Sequence, residues 1–198
     1  MHLGDIGKLQ EVLKALPPGQ RCAPVENWNP PFCGDIGLKI LRDGTWLYQG
    51  SPIRRPELVN LFASVLRKDS DGRTYLVTPA EKIAIEVEDA PFLAVDMQVE
   101  GGGEAQRLSF RTNLDDQVVC GPSHPLRFIE EKGSGGLKPY LLVRGRLEAL
   151  VTRSLVHDLA ALAVEAPAGA VDAGEADAGE PNFGVWSEGA FFPFTPLT

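Results

Sequence analysis

Apolar positions over residues 56–67 recur with helical spacing, at Leu58, Val59, Phe62, Val65 and Leu66. Pro56 suits a first helical position and Glu57 suits the positive end of the helix dipole. The pattern therefore predicts a helix over 56–67, stopped by the turn residues of "KDSDGR". A period of two follows, in "TYLVTP", "KIAIEVED" and "PFLAVDMQVE". In the second run Ile83, Ile85 and Val87 alternate with Ala84, Glu86 and Glu88, the pattern of a sheet with one wet face.

Upstream, a hairpin over 37–49 turns at Asp43-Gly44. A two-residue loop would put Lys39 opposite Tyr48 and mix a charge with aromatics on one face. A three-residue loop with Gly44 in the left-handed region sets Ile40 opposite Trp46 and Leu38 opposite Tyr48. The second register gathers the large apolar groups, so it is preferred, with Trp46 and Tyr48 as core residues ahead of an aromatic ligand platform. Residues 17–36, rich in proline, are expected to be coil, and Ile6, Leu9, Leu13 and Leu16 predict a short amphipathic helix before them.

After the break "EGGGEAQ", a second series of strand patterns runs through "RLSFRTNLDDQVVCG", "PLRFIE", "PYLLVRG" and "RLEALVTR". A helix, "SLVHDLAALAVEA", follows with Ser154 as its N-cap. "LKILRDGTWLYQGSP" resembles "LSFRTNLDDQVVCGPSHP" in kind, and "YLVTP" with "KIAIEVED" parallels "YLLVRG" with "RLEALVTR". Such similarity suggests duplication. The fold class expected is α+β, in two small, possibly duplicated units, each an antiparallel β-sheet with a packed helix. The expected boundaries are an N-terminal helix over 1–20, units over 21–100 and 101–166, a disordered acidic linker over 167–181, and an aromatic docking tail over 182–198. The tail carries Phe183, Val185, Trp186, Phe191, Phe192 and Phe194, too many apolar groups to leave in water.

Charge narrows the partners. Seven of the 27 acidic residues lie after Arg153 and no Lys or Arg does, leaving 20 acids against 19 bases before it. A near-neutral body with an acidic tail offers no electrostatic footprint for nucleic acid or for an anionic membrane. No apolar run is long enough to span a bilayer, and the first residues lack the basic start and apolar block of an export signal. With three cysteines, an odd count, reduced thiols and a cytoplasmic location are expected.

Catalytic patterns are scarce. There is no GxSxG, P-loop or GxGxxG. Cys120 and His124 could bite a metal with Cys33 and Asp35, but one close pair is no signature, and no metal or cofactor is expected. His157 and Asp158 are helical neighbours that do not face each other. Arg54 and Arg55, just before the helix at Pro56, could form an anion site, or pair with Glu57 or Asp89, or stay solvated. With Thr78, Glu81, Lys82, His124 and Arg127 they are the candidate ligand-binding residues, lying at strand and helix ends. The function expected is non-catalytic binding of a small anionic ligand or a protein partner, with a regulatory or signalling role. The alternative is a hydrolase or transferase using His124 with nearby carboxylates or Cys120.

The segments "WNPPFCGDI", "DGTWLYQGSPIRRPELVNLFASVL", "YLVTPAEK", "VEDAPF", "HPLR", "LEALVTR" and "FGVWSEGAFFPF" resemble the bacterial domain-of-unknown-function family 1285. The resemblance runs from Trp28 to Arg153 and resumes in the tail, while the Ala/Gly/Asp linker departs from the family's short connection. It implies a two-part α+β fold with repeated motifs. No activity comes with it, and it suggests a binding or signalling role only.

Overall fold

The computed structural model describes residues 23–131, 133, 135–165 and 183–194; the helix expected over 1–20 and the linker over 167–181 lie outside them. The chain divides into two compact units. The first runs to Pro91 and includes Gly145–Leu147; the second comprises Phe92–Arg144 and the chain from Glu148 onward.

Unit 1 contains β1 (Phe32–Ile40), β2 (Trp46–Tyr48), β3 (Ser51–Pro52), α1 (Pro56–Ser64), β4 (Leu66–Lys68), β5 (Thr74–Val77) and β6 (Lys82–Val87). Its sheet order is β3-β2-β1-β6-β5-β4. Each half is an antiparallel meander, and the halves meet where β1 runs parallel to β6. The first hairpin has the expected register, Leu38 opposite Tyr48 and Ile40 opposite Trp46. Gly44 supplies the left-handed residue at φ +82°.

One face of this sheet is the core. Leu38, Ile40, Trp46, Leu66, Leu76 and Ile83 are buried with Phe62 of α1, whose ring stacks on Trp46 at 6.2 Å. The indole Nε1 of Trp46 has no hydrogen-bond partner among the described residues. Ala84, on the other face, is buried as well, beside its cross-strand partner Tyr75.

Two boundaries differ from the sequence pattern. The helix ends at Ser64 rather than 67, and the Val65 carbonyl accepts from Val77 N at 2.9 Å while Leu66 opens β4. Val65 and Leu66 are buried as the stripe requires, but sheet pairing has overridden the helical period. β1 starts at Phe32, inside the stretch expected to be coil. Gly34 and Gly37, at φ +93° and +76°, flank register shifts against β6 and hide its alternation.

Unit 2 contains β7 (Phe92–Glu100), β8 (Arg107–Thr112), β9 (Gln117–Val119), β10 (Leu126–Glu130), β11 (Leu137–Arg144), β12 (Leu147–Val151) and α2 (Arg153–Ala161). Its order is β10-β11-β12-β7-β8-β9, with β12 parallel to β7. Both sheets thus join two meanders through their first and last strands. They differ in the helix: α1 links the meanders, whereas α2 follows the last strand. Strand order matches β5–β6 with β11–β12, as the sequence similarity does. It matches β1–β2 with β7–β8, one strand earlier than the similarity suggests. Successive hairpins of a meander carry the same alternation, so pattern alone does not fix which one corresponds. The N-cap of α2 is Thr152, in extended conformation, rather than Ser154, and its side chain makes no capping bond to the backbone.

A third sheet, β13 (Val164–Glu165), β14 (Phe183–Ser187) and β15 (Ala190–Pro193), belongs to unit 2. Val185, Ser187 and Phe192 are buried, the Gln106 amide donates to the Trp186 carbonyl at 2.8 Å, and Phe194 packs on Phe128 at 4.8 Å. No helix among the described residues is long and apolar enough to cross a membrane.

Candidate ligand-binding site

The turn between β4 and β5 repeats the turn between β1 and β2. In each, an Asp-Gly pair closes a three-residue loop with glycine left-handed, Gly44 at φ +82° and Gly72 at φ +79°. The Asp side chain accepts from the backbone N–H two residues on, Asp43 from Thr45 and Asp71 from Arg73, each at 2.9 Å. Lys68 is therefore paired with Thr74, and Lys68 and Arg73 stand at one end of the hairpin.

That hairpin contributes to the lining of a cleft of about 390 Å³ within unit 1. Lys68, Gly72, Arg73 and Thr74 line it from the hairpin, and Ile85, Glu86, Val87, Asp89 and Pro91 from β6 and the segment after it, with Asp35 of β1. The carboxylates have partners. Glu86 pairs with Lys39 at 2.9 Å, Asp89 with Arg42 at 3.6 Å, and Asp35 accepts from Gly37 N at 2.7 Å. Lys39 also binds Glu88, and the hydrogen bonds it donates to the two carboxylates raise its pKa above the usual lysine range. Lys68 and Arg73, by contrast, have no ion-pair partner among the described residues, although Arg73 lies 5.8 Å from the Tyr75 ring.

Beside the cleft, Arg67 is nearly sealed, at 8% exposure. It donates to Asp69 at 2.6 Å and to the carbonyls of Val25 and Trp28 at 2.8 and 2.7 Å. Burial would raise the Asp69 carboxyl, but hydrogen bonds from Arg67 and Lys82 outweigh it and hold its pKa below the usual range. The Tyr75 hydroxyl donates to Asp71 at 2.6 Å, which raises the phenol and lowers the carboxyl.

The residues singled out in the sequence fall on different elements of both units. Arg54 and Arg55 are exposed at the start of α1, Arg55 being its N-cap, without ion-pair partners among the described residues. The Thr78 hydroxyl is buried and accepts from Ala80 N and Glu81 N, so it closes the β5–β6 turn. Glu81 contributes its carbonyl to the same turn, accepting from Thr78 N at 2.9 Å. Lys82 reaches Asp69 at 3.2 Å and lies 4.6 Å over the Tyr75 ring. Arg127, in unit 2, grips both oxygens of Glu148 and stacks on Tyr140. His124 Nδ1 lies 3.1 Å from the Leu142 carbonyl, which only accepts, so Nδ1 carries the proton. None of the seven lines the cleft.

Domain of unknown function DUF1285, N-terminal domain, matches residues 23–90, and the DUF1285 C-terminal domain matches 91–194. The chain belongs to the DUF1285 family. A DUF1285 family protein from Silicibacter pomeroyi DSS-3 is 43% identical, with 96% of this chain and 95% of that one covered and a TM-score of 0.80. A second, from Shewanella baltica OS155, is 24% identical over 63% of this chain and 91% of its own, with a TM-score of 0.49. No curated protein matches.

In this DUF1285 chain the thiol and metal chemistry considered from the sequence finds little to build on. Cys120 is fully buried, and burial pushes its thiol up to about 12, against weaker hydrogen bonds from Leu126 and Ser187. Cys120 therefore supplies no thiolate nucleophile at neutral pH. Among the described residues no three His, Cys, Asp or Glu side chains cluster in a way that could hold a metal ion. The cleft was missed because "KDSDGR" reads as a helix stop. Its Asp-Gly pair, the same signal as in the first hairpin, marks the missing strand β4.

Proposed function

We propose that this DUF1285 protein is a non-catalytic binder of a small anionic ligand, held in the unit 1 cleft, and that occupancy serves a regulatory or signalling role. One observation carries the reading: Lys68 and Arg73 face the cleft without ion-pair partners among the described residues, while its three carboxylates are engaged. An unpaired ammonium and guanidinium at the mouth of a cleft favour an anion, and Arg73 can offer it a planar fork. The volume suits a metabolite-sized guest. The exposed free thiol of Cys33 fits a reducing, cytoplasmic location.

The test is thermal-shift and calorimetric screening against inorganic phosphate, dicarboxylates and nucleotides. Binding should be lost in Lys68→Met/Arg73→Met and kept in Arg54→Ala/Arg55→Ala. Loss only in the second variant would move the anion site to the start of α1. No stabilising anion at all would reject the reading.

A further inference from the structure

The pairing of β4, β5 and β6 sets their side chains in rows on one face of the sheet. Leu66, Leu76 and Ile83 are paired in turn and are all buried in the unit 1 core. The next row on that face is Lys68, Thr74 and Ile85, and all three line the cleft. Val87, two residues beyond Ile85, shares the face and lines the cleft as well. Where the core row is apolar throughout, the cleft row is an ammonium, a hydroxyl and a hydrocarbon. Thr74 is 7% exposed, and its hydroxyl has no hydrogen-bond partner among the described residues. Lys68 likewise has no ion-pair partner among them. A hydroxyl so nearly enclosed favours a partner oxygen that also satisfies the ammonium beside it. Beyond it on the same row, Ile85 and half-buried Val87 offer hydrocarbon alone.

We infer that the ligand of this cleft is an amphipathic monocarboxylate: its carboxylate accepts from Lys68 and from the Thr74 hydroxyl, and its short apolar body lies along the same face toward Ile85 and Val87. This rests on the anion-binding reading above and adds to it the hydroxyl donor and the apolar half of the guest. Adjacent strands stand about 4.8 Å apart, a step that a chain of a few carbons covers. A carboxylate has an oxygen for each of the two donors. A second negative charge on the same guest falls over the hydrocarbon of β6 or among the lining carboxylates of Asp35, Glu86 and Asp89, so the face selects against it. Bare phosphate leaves Ile85 and Val87 uncovered. Thr74 is thus the specificity-determining residue for the head of the ligand, and Val87 for its body.

The experiment uses the full chain, straight-chain monocarboxylates from acetate to hexanoate, the α,ω-dicarboxylates of equal length, and inorganic phosphate. Binding is read by calorimetry. Affinity for the monocarboxylates should rise about 2- to 4-fold per added methylene, as burial of hydrocarbon requires. Each dicarboxylate should bind at least ~10-fold more weakly than the monocarboxylate of its length. Two variants of unchanged shape divide the site. Thr74→Val should weaken every monocarboxylate by at least ~5-fold and keep the dependence on chain length, which also shows that the cleft is still formed. Val87→Thr should leave acetate unaffected and flatten that dependence. If dicarboxylates or phosphate match the monocarboxylates, or acetate binds as well as hexanoate, and binding still needs Lys68 and Arg73, the amphipathic assignment is overturned and the anion reading stands. If Thr74→Val binds every probe as the unaltered chain does, the hydroxyl is no donor and the assignment is equally overturned. If no probe of any set binds, the anion reading falls and takes this inference with it.

Discussion

The Ser187 hydroxyl donates to the Cys120 carbonyl at 2.7 Å, and the same oxygen accepts from Leu108 N at 2.9 Å. Ser187 and Cys120 are both fully buried, and 67 residues separate them in the chain. One side chain from the aromatic segment therefore satisfies two main-chain groups of unit 2. Ser187→Ala leaves a donor and an acceptor buried without partners and should cost about 2–4 kcal/mol. Urea denaturation of the variant against the unaltered chain checks this. A loss within about 0.5 kcal/mol would mean the segment does not close the core.

Cys120 should be chemically silent. Its thiol titrates near 12 because burial disfavours the thiolate, so it stays protonated across the neutral range. In a Cys22→Ser background a disulfide reagent at pH 8 should modify exposed Cys33 rapidly and Cys120 only on unfolding. Prompt labelling of two thiols in the native protein would contradict the burial.

Asp69 should make unit 1 sensitive to acid. Its folded pKa is depressed, so it contributes stability that is present above its unfolded value of about 3.9 and is lost as pH falls through the folded value. The Asp69→Asn variant should be less stable at pH 7 by about 1–3 kcal/mol, because the buried Arg67 loses its charged acceptor. The gap should shrink as pH falls below about 4. Denaturant midpoints measured at each pH give the comparison, and a gap independent of pH would remove Asp69 from the account.

Gly72 and Gly44 occupy the same left-handed position in sister turns. Either Gly→Ala change should cost about 1 kcal/mol from backbone strain. Only Gly72→Ala should also weaken probe binding at the cleft, since Gly72 lines it and Gly44 does not. Thermal midpoints and calorimetry on both variants separate the two effects.

The first hairpin was legible to the residue because its alternatives differ in which side chains share a face. Only one register puts Leu38, Ile40, Trp46 and Tyr48 together, and burial enforces it. The strands of both units could be read in the same way, and with them the two-unit α+β class. Strand β4 could not. Leu66 sits equally well on a helical stripe and in a strand, and only the ladder to β5 decides between them. The cleft followed from that decision, because Lys68 and Arg73 become neighbours only when β4 exists.

The scatter of Arg54, Thr78, Glu81, Lys82, His124 and Arg127 has a related cause. Polar residues at strand ends are as readily engaged in turns, such as Thr78, or in ion pairs, such as Arg127 with Glu148, as left open for a ligand. Local sequence determined most of the strands, the Asp-Gly turns and the apolar faces, since these depend on neighbours within a few residues. Tertiary structure alone decided the parallel joining of β1 to β6 and of β12 to β7, the end of α1, and which charges stay unpaired. Those outcomes depend on partners far apart in the chain, whose pairing competes with every local preference.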